Sequence, residues 1–322
     1  MGQVALDRYL IEATLGSGGM GTVYRARHVA IGRQVAIKIL HDHLVSDPAM
    51  VERFEREAAL VGKLDHRNVV TVLDVGETPS HQKMMVLELV RGETLAELIA
   101  REGPLDRARV IAIVRQLLQG LEHAHAAGLI HRDLKPENVI IEHDDHGAEL
   151  PKIVDFGIAL LREDFFSNRR LTATGIVLGT PEFMAPEQAK GTELDARCDL
   201  FALGMIMYVM LAGKLPFDGT GIEVAIANLS KNPPPIATRS PGVVVDPLLE
   251  AFARRMMARR LGARMPSART ALRVLALVES DPVAAAKLLV PVAKPAVEAP
   301  PPPPLPPPTT SWFAAIAKWF AK

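Results

Sequence analysis

Cysteine is nearly absent: Cys198 stands alone in 322 residues. That excludes internal disulfides and cysteine-cluster metal sites, and it suits a reducing compartment. An excess of one charge is also missing, since 37 Lys and Arg balance 37 Asp and Glu. A nucleic-acid partner held by bulk electrostatics would require a basic surplus, so none is expected. Aromatic residues make up only 5% of a chain that is 48% apolar and 23% charged. The core of this globular composition must therefore be mainly aliphatic. Long apolar runs are lacking too. The longest, Leu200 to Gly213, falls short of the ~20 residues that cross a bilayer and reads as a buried helix. The first residues show no basic-then-apolar leader, and Leu6 stands where an N-terminal acylation signal needs Ser or Thr. A cytoplasmic chain is expected.

Proline, by contrast, is abundant and unevenly placed. Of 25 prolines, 14 are spread over residues 1–281 and 11 fall between Pro282 and Pro308. A run so poor in N–H groups forms neither helix nor sheet and extends as a polyproline-like linker. The expected organisation is a domain over residues 9–278, a proline-rich linker over 282–310 and a short aromatic tail over 311–322. Within the domain, residues 22–27 and 34–40 read as strands of a hairpin around Gly32, and 49–64 as an amphipathic helix. Helical periodicity dominates from Arg107 onward. The fold class is α+β: a small strand-rich lobe, about 9–90, precedes a larger helical lobe, about 91–278, with a ligand cleft between them.

Chemistry enters with Gly16-Ser17-Gly18-Gly19-Met20-Gly21. Glycines at this spacing let a backbone approach phosphates and offer them its N–H groups. Alone the pattern is weak evidence, because a flexible hairpin turn has the same composition. A dinucleotide fold would lead from it into a helix, with an acidic residue about 20 positions on. Here it leads into a strand and then to Lys38, which excludes that reading. Lys38 shares a strand face with Ala36 and Leu40, an apolar setting in which an ammonium needs a partner unless it snorkels to solvent. On a helical wheel of about 100° per residue, Glu57 falls inside the apolar arc of Val51, Phe54, Ala58 and Val61. A carboxylate there is costly unless paired, so Glu57 is the natural partner of Lys38; a solvated margin of the stripe is the alternative.

The densest signal is His131-Arg132-Asp133-Leu134-Lys135-Pro136-Glu137-Asn138, followed by Asp155-Phe156-Gly157 and Ala185-Pro186-Glu187. It supplies a base, an amide and a second carboxylate, oxygen donors suited to Mg²⁺. Together, in this order, the motifs resemble those of the eukaryotic-like (Hanks-type) serine/threonine protein kinases, in their bacterial branch. The resemblance covers about residues 9–278 and implies the two-lobed kinase fold and transfer of the ATP γ-phosphate to Ser and Thr hydroxyls of proteins. It implies that Gly16, Gly18 and Gly21 cover the ATP phosphates, with Leu15 and Gly19 also among the ATP-binding residues. Val23 and Ala36 would sandwich adenine above Ile140. Met84 to Val90 resembles the connector between lobes, with Leu87 as gatekeeper, and the Glu88 carbonyl and Val90 amide would bind adenine. Lys38, held by Glu57, would contact the α- and β-phosphates, and Asp155 with Asn138 would hold Mg²⁺, Mn²⁺ being the alternative. Asp133 would accept the substrate proton, Lys135 would steady the γ-phosphate, and Thr180 would bridge these two.

The same resemblance makes Arg132 the partner of a phosphate on the activation segment, with Thr172 and Thr174 as the modified residues. The alternative is two ordinary loop threonines. Autophosphorylation between transient partners is expected. Glu187 would pair with Arg264, and Asp199 would brace the catalytic loop. Two rivals, a pseudokinase scaffold and a small-molecule phosphotransferase, are disfavoured: Lys38, Asp133, Asn138 and Asp155 are all present, as is the Ala185-Pro186-Glu187 anchor. The tail, wound as a helix, would gather Trp312, Ile316, Trp319 and Phe320 on one side. That arrangement suits a loose hold on the inner membrane surface or on a partner protein.

Overall fold

A computed structural model describes residues 4–5, 8–18, 21–42, 48–156 and 181–289. The linker and tail lie outside the described residues, as do Gly19, Gly157, Thr172, Thr174 and Thr180.

The N-terminal lobe is an antiparallel sheet of six strands: β1 (Val4–Ala5), β2 (Tyr9–Ser17), β3 (Gly21–His28), β4 (Gln34–Leu40), β5 (Val72–Glu77) and β6 (Lys83–Glu88). Their order across the sheet is β1-β2-β3-β4-β6-β5. β4 is central, and everything from Val35 to Leu40 is buried, as a β-branched-rich run enclosed on both faces should be. One face packs Ala36, Leu40, Met85 and Leu87 against Phe54 and Ala58 of helix α1 (Pro48–Val61), and the other gathers Ile37, Ile39, Met84 and Val86. α1 ends at Val61, although the Gly62 N–H still donates to the Ala58 carbonyl at 2.8 Å, and Leu64 remains in the core beyond it.

The second lobe carries a small sheet of β7 (Glu93–Thr94), β8 (Val139–His143) and β9 (Glu149–Ile153). Around it stand α2 (Leu95–Glu102), α3 (Arg107–Ala126), α4 (Pro186–Lys190), α5 (Arg197–Ala212), α6 (Gly221–Ser230), α7 (Ile236–Arg239), α8 (Pro247–Met256), α9 (Ala268–Ser280) and α10 (Pro282–Leu289). Side-chain caps start several of these helices: Thr94 accepts from the Glu97 N–H, Asp106 from Arg109 and Ser267 from Thr270. The long apolar stretch forms α5, with every residue from Cys198 to Ala212 buried. Among the described residues, no helix is long and apolar enough to cross a membrane.

One boundary needs correction. The linker expected from residue 282 begins later, because Pro282–Leu289 is α10 and buries Ala285 and Leu289 in the core. Proline density misled here for a physical reason. Proline at the first helical turn sacrifices no hydrogen bond, and the Asp281 carboxylate caps the helix by accepting the Ala284 N–H at 3.0 Å.

Candidate active site

The Gly-rich turn joins β2 to β3. Its neck is closed by Gly18 N–H donating to Gly21 O at 2.9 Å and by a Ser17–Thr22 hydroxyl contact at 3.0 Å. The glycines have separate reasons. A Cβ on Gly21 would stand 2.2 Å from the Ile39 carbonyl oxygen, so packing on β4 forbids one. A Cβ on Gly16 or Gly18 would meet nothing within 4 Å. The fold has no need of glycine there, and the open space matches a cradle kept clear for an approaching ligand.

Beside it, β4 carries Lys38, 7% exposed, whose Nζ lies 3.1 Å from Asp155 Oδ1. This is the described partner of the buried ammonium. The Glu57 side chain lies outside the described ones, so the pairing read from the helical wheel is not among them. Val23, Ala36, Leu87, Leu89, Val90 and Val154 share one apolar cluster at the lobe junction, a flat aliphatic setting for a planar base. Leu15 and Ile140 lie outside that cluster; Leu15 is 51% exposed on β2, and Ile140 is half-buried on β8, opposite Lys152.

The loop from His131 to Asn138 is built around a buried carboxylate. Asp199 on α5 accepts the N–H of His131 and of Arg132, each at 2.8 Å and on separate oxygens, and also lies 2.8 Å from His125 Nε2. Burial alone would push the Asp199 carboxyl up. The His125 hydrogen bond, the His125 and His131 rings and the His131 N–H outweigh it and hold the group below its usual range. This grip explains how Arg132 sustains a left-handed φ of 65°, a strain of roughly 1–3 kcal/mol for a non-glycine residue. Gln188 Nε2, donating to Arg132 O at 2.7 Å, holds the same residue from the other side.

His131, fully buried, fixes the next turn. Its Nε2 contacts the Val154 carbonyl at 2.9 Å; a carbonyl only accepts, so Nε2 carries the proton and Nδ1 is left to accept the Asp133 N–H at 3.3 Å. The ring also meets Phe156 edge-on at 4.7 Å. Asn138 donates from its amide to Asp133 O at 2.8 Å, and its main-chain oxygen takes the Val154 N–H at 2.9 Å. Asp155 follows at a φ of 61°, the second strained residue of the site. Lys135 Nζ stands 3.4 Å from Asp133 Oδ2. Asp133, Lys135 and Asn138 are thus drawn together by bonds among neighbours, and the Val154 N–H bond to Asn138 O brings Asp155 beside them.

The donor set fits a hard divalent cation. Asp155 offers a carboxylate and Asn138 a side-chain carbonyl oxygen. Among the described residues, no group of three or more His, Cys, Asp or Glu forms a closed cation cage. Mg²⁺ characteristically takes one or two protein oxygens and completes its shell with water and phosphate.

Below the site, Glu187 and Arg264 form the expected buried pair, at 2.5 and 3.1 Å. Reading the sequence missed the anchoring roles of His125, His131 and Gln188. His131 lies within the catalytic-loop motif, yet nothing in its local pattern says which ring nitrogen bonds where.

Residues 9–269 match the protein kinase domain family. The chain belongs to that family. It is 40% identical over 269 residues to the serine/threonine-protein kinase pkn3 of Myxococcus xanthus, covering 83% of this chain and 49% of that one. Against the serine/threonine-protein kinase PknB of Mycobacterium tuberculosis, identity is 38% over 244 residues, 74% of this chain and 38% of that one. The chain therefore spans half or less of the length of these curated relatives. Among solved structures, the PknI kinase domain of M. tuberculosis (C20A_R136A double mutant) superposes with a TM-score of 0.67 at 26% identity, covering 86% of this chain and 97% of that one. Rad53 1-466 in complex with AMP-PNP gives 0.66 at 27% identity, covering 81% and 63%.

Proposed function

We propose that this chain transfers the γ-phosphate of ATP to serine and threonine hydroxyls of proteins. The observation that carries the reading is that Asp133, Lys135 and Asn138 meet on a loop whose strain is held by Asp199, while the Val154 N–H bond to Asn138 O brings the adjoining Asp155, paired with Lys38, beside them. In the step, the substrate oxygen bonds to the γ-phosphorus as the bridging oxygen leaves on ADP, and the hydroxyl proton passes to the Asp133 carboxylate. Phosphoryl transfer needs position and charge neutralisation more than covalent help. Lys38 would neutralise the α- and β-phosphates and Lys135 the group in flight, with Thr180 bridging Asp133 and Lys135. Gly16, Gly18, Gly19 and Gly21 would cover the phosphates. The backbone of Glu88 and Val90 would receive adenine. A Mg²⁺ ion held by Asp155 and Asn138, with Mn²⁺ as its substitute, would supply charge neutralisation at the β- and γ-phosphates.

Regulation would run through the activation segment. Arg132 sits beside the base on a backbone held from both sides, which supports its reading as the receiver of a phosphate on Thr172 or Thr174, placed there by a second, transiently bound copy. A Thr172→Ala/Thr174→Ala variant should bind ATP as the wild type does and lose most activity toward an added protein substrate. Full activity in that variant would remove the switch.

The tail would tether the kinase. Its 12 residues would make a helix of only ~18 Å, too short to span a bilayer but suited to its interface, where each lysine adds about 1 kcal/mol on anionic lipid. The proline-rich stretch 291–308 reaches at most about 56 Å, enough to keep a cleft clear of the surface. Anionic liposomes should float the full chain and leave behind a chain ending at Pro300. Equal flotation of both would point the aromatic face toward a protein surface instead.

A further inference from the structure

A lysine of the helical lobe grips both ends of the connector between the lobes. Lys152 on β9 is 9% exposed, and an ammonium so buried needs partners. It has two carboxylates: Nζ is 2.8 Å from Glu88 Oε2 and 3.5 Å from Glu142 Oε2. Glu88 is the last residue of β6, where the connector starts. Its Oε1 accepts the Thr71 N–H at 3.0 Å, and its own N–H donates to the Thr71 carbonyl at 3.0 Å. Glu142 on β8 reaches the far end, where its Oε1 accepts the Arg91 N–H at 3.4 Å. Arg91 in turn donates from Nη2 to Gln34 Oε1 on β4 at 3.2 Å. One ammonium therefore organises residues 88 and 91 together, and Leu89 and Val90 are suspended between them.

We infer that Lys152 is a positioning residue for nucleotide binding: through Glu88 and Glu142 it fixes the backbone that receives the base. The inference rests on the reading of Glu88 to Val90 as the adenine-binding backbone. Its physical content is preorganisation. A connector that must be ordered when the ligand arrives subtracts that ordering from the affinity, whereas one ordered beforehand does not. The effect belongs to the base rather than the phosphates, because this cluster's contacts run to Glu88, Glu142 and Arg91, whereas Lys38 and Asp155 pair with each other at 3.1 Å.

The test compares adenosine with ATP, by calorimetry in the presence of Mg²⁺, on the full chain. Lys152→Met should weaken both ligands by the same factor, about tenfold, as expected for one lost polar restraint. Lys152→Arg should recover most of that loss, and amide hydrogen exchange at residues 89–91 should quicken in Lys152→Met. The double variant Lys152→Met/Glu88→Leu removes both members of the closest pair, so no charge of that pair is stranded and folding is protected. It should still bind both ligands weakly, which a role in stability alone would not produce. Wild-type adenosine affinity in either folded variant, or a loss confined to ATP, overturns the inference. Absence of ATP binding by the wild type overturns the kinase reading, and this inference with it.

Discussion

Replacing Asp133 by Asn should lower the rate of phosphate transfer by about 10²–10⁴-fold, the usual contribution of a positioned general base. The amide keeps the size and shape of the carboxylate but cannot take the hydroxyl proton. The fold should survive, because the substitution leaves the main-chain anchors of Asp133 in place: its N–H donates to His131 Nδ1 at 3.3 Å and its carbonyl accepts from Asn138 Nδ2 at 2.8 Å. ATP affinity should stay within a few-fold of wild type, since the side chain's described contact is with Lys135 rather than with the Lys38–Asp155 pair. Radiolabel incorporation under single-turnover conditions, with a melting curve alongside, measures both. Lys38→Met should lose incorporation in the same assay by a different route, through weaker handling of the α- and β-phosphates. Robust phosphate incorporation by the folded Asp133 variant would sink the mechanism proposed for this site.

The largest effect on stability should come from Arg264→Met. Arg264 is 2% exposed and Glu187 5% exposed. The guanidinium makes two bonds to the Glu187 carboxylate, donates to the Arg197 carbonyl at 2.7 Å and the Ala258 carbonyl at 3.1 Å, and lies over the Phe201 ring at 5.1 Å. Its removal strands a carboxylate and two carbonyls away from water. Breaking a buried pair from one side costs about 3–5 kcal/mol, a large share of the 5–15 kcal/mol that holds a typical domain. Urea unfolding should show a midpoint lowered to match. The double variant Arg264→Met/Glu187→Leu should recover part of the loss, because no charge is then stranded. Arg101→Ala is the control: its pair with Glu93 is 57% exposed on the arginine side, so water screens it and its loss should scarcely move the midpoint. A loss for Arg264→Met as small as the control's would mean that water reaches the pair.

What could be read before any coordinates was whatever is written in consecutive residues. The loop from His131 to Asn138 is such a case: its base, lysine and amide are neighbours in the chain, and their mutual bonds span five residues at most. The strands around Gly32 and the buried α5 were legible for the same reason, since period-two and continuously apolar patterns are local. The end of the domain was misplaced because proline counts report the lost N–H groups. They do not report that Pro282 occupies a helical position where that loss is harmless.

Pairings between distant residues were legible only through the family resemblance, as for Glu187 with Arg264 and Asp199 with the catalytic loop. Lys38 required a partner on chemical grounds, yet the one described, Asp155, is 117 residues away. Lys152 carried no signal at all: an alternating strand places a lysine outward by default, and it is Glu88 from the other lobe, with Glu142 on β8, that partners it as an interior ammonium. Asp199 is a buried carboxylate in a mainly apolar helix, and it is tolerated because His125 and two amides from 67 and 68 residues upstream converge on it. The sequence by itself determined which groups are present and how each short segment bends, because backbone propensity and motif spacing act over a few residues. Which charge meets which was decided by tertiary packing alone, because a buried charge takes its partner from whatever segment the fold carries to within about 3 Å, however far away that segment lies in the chain.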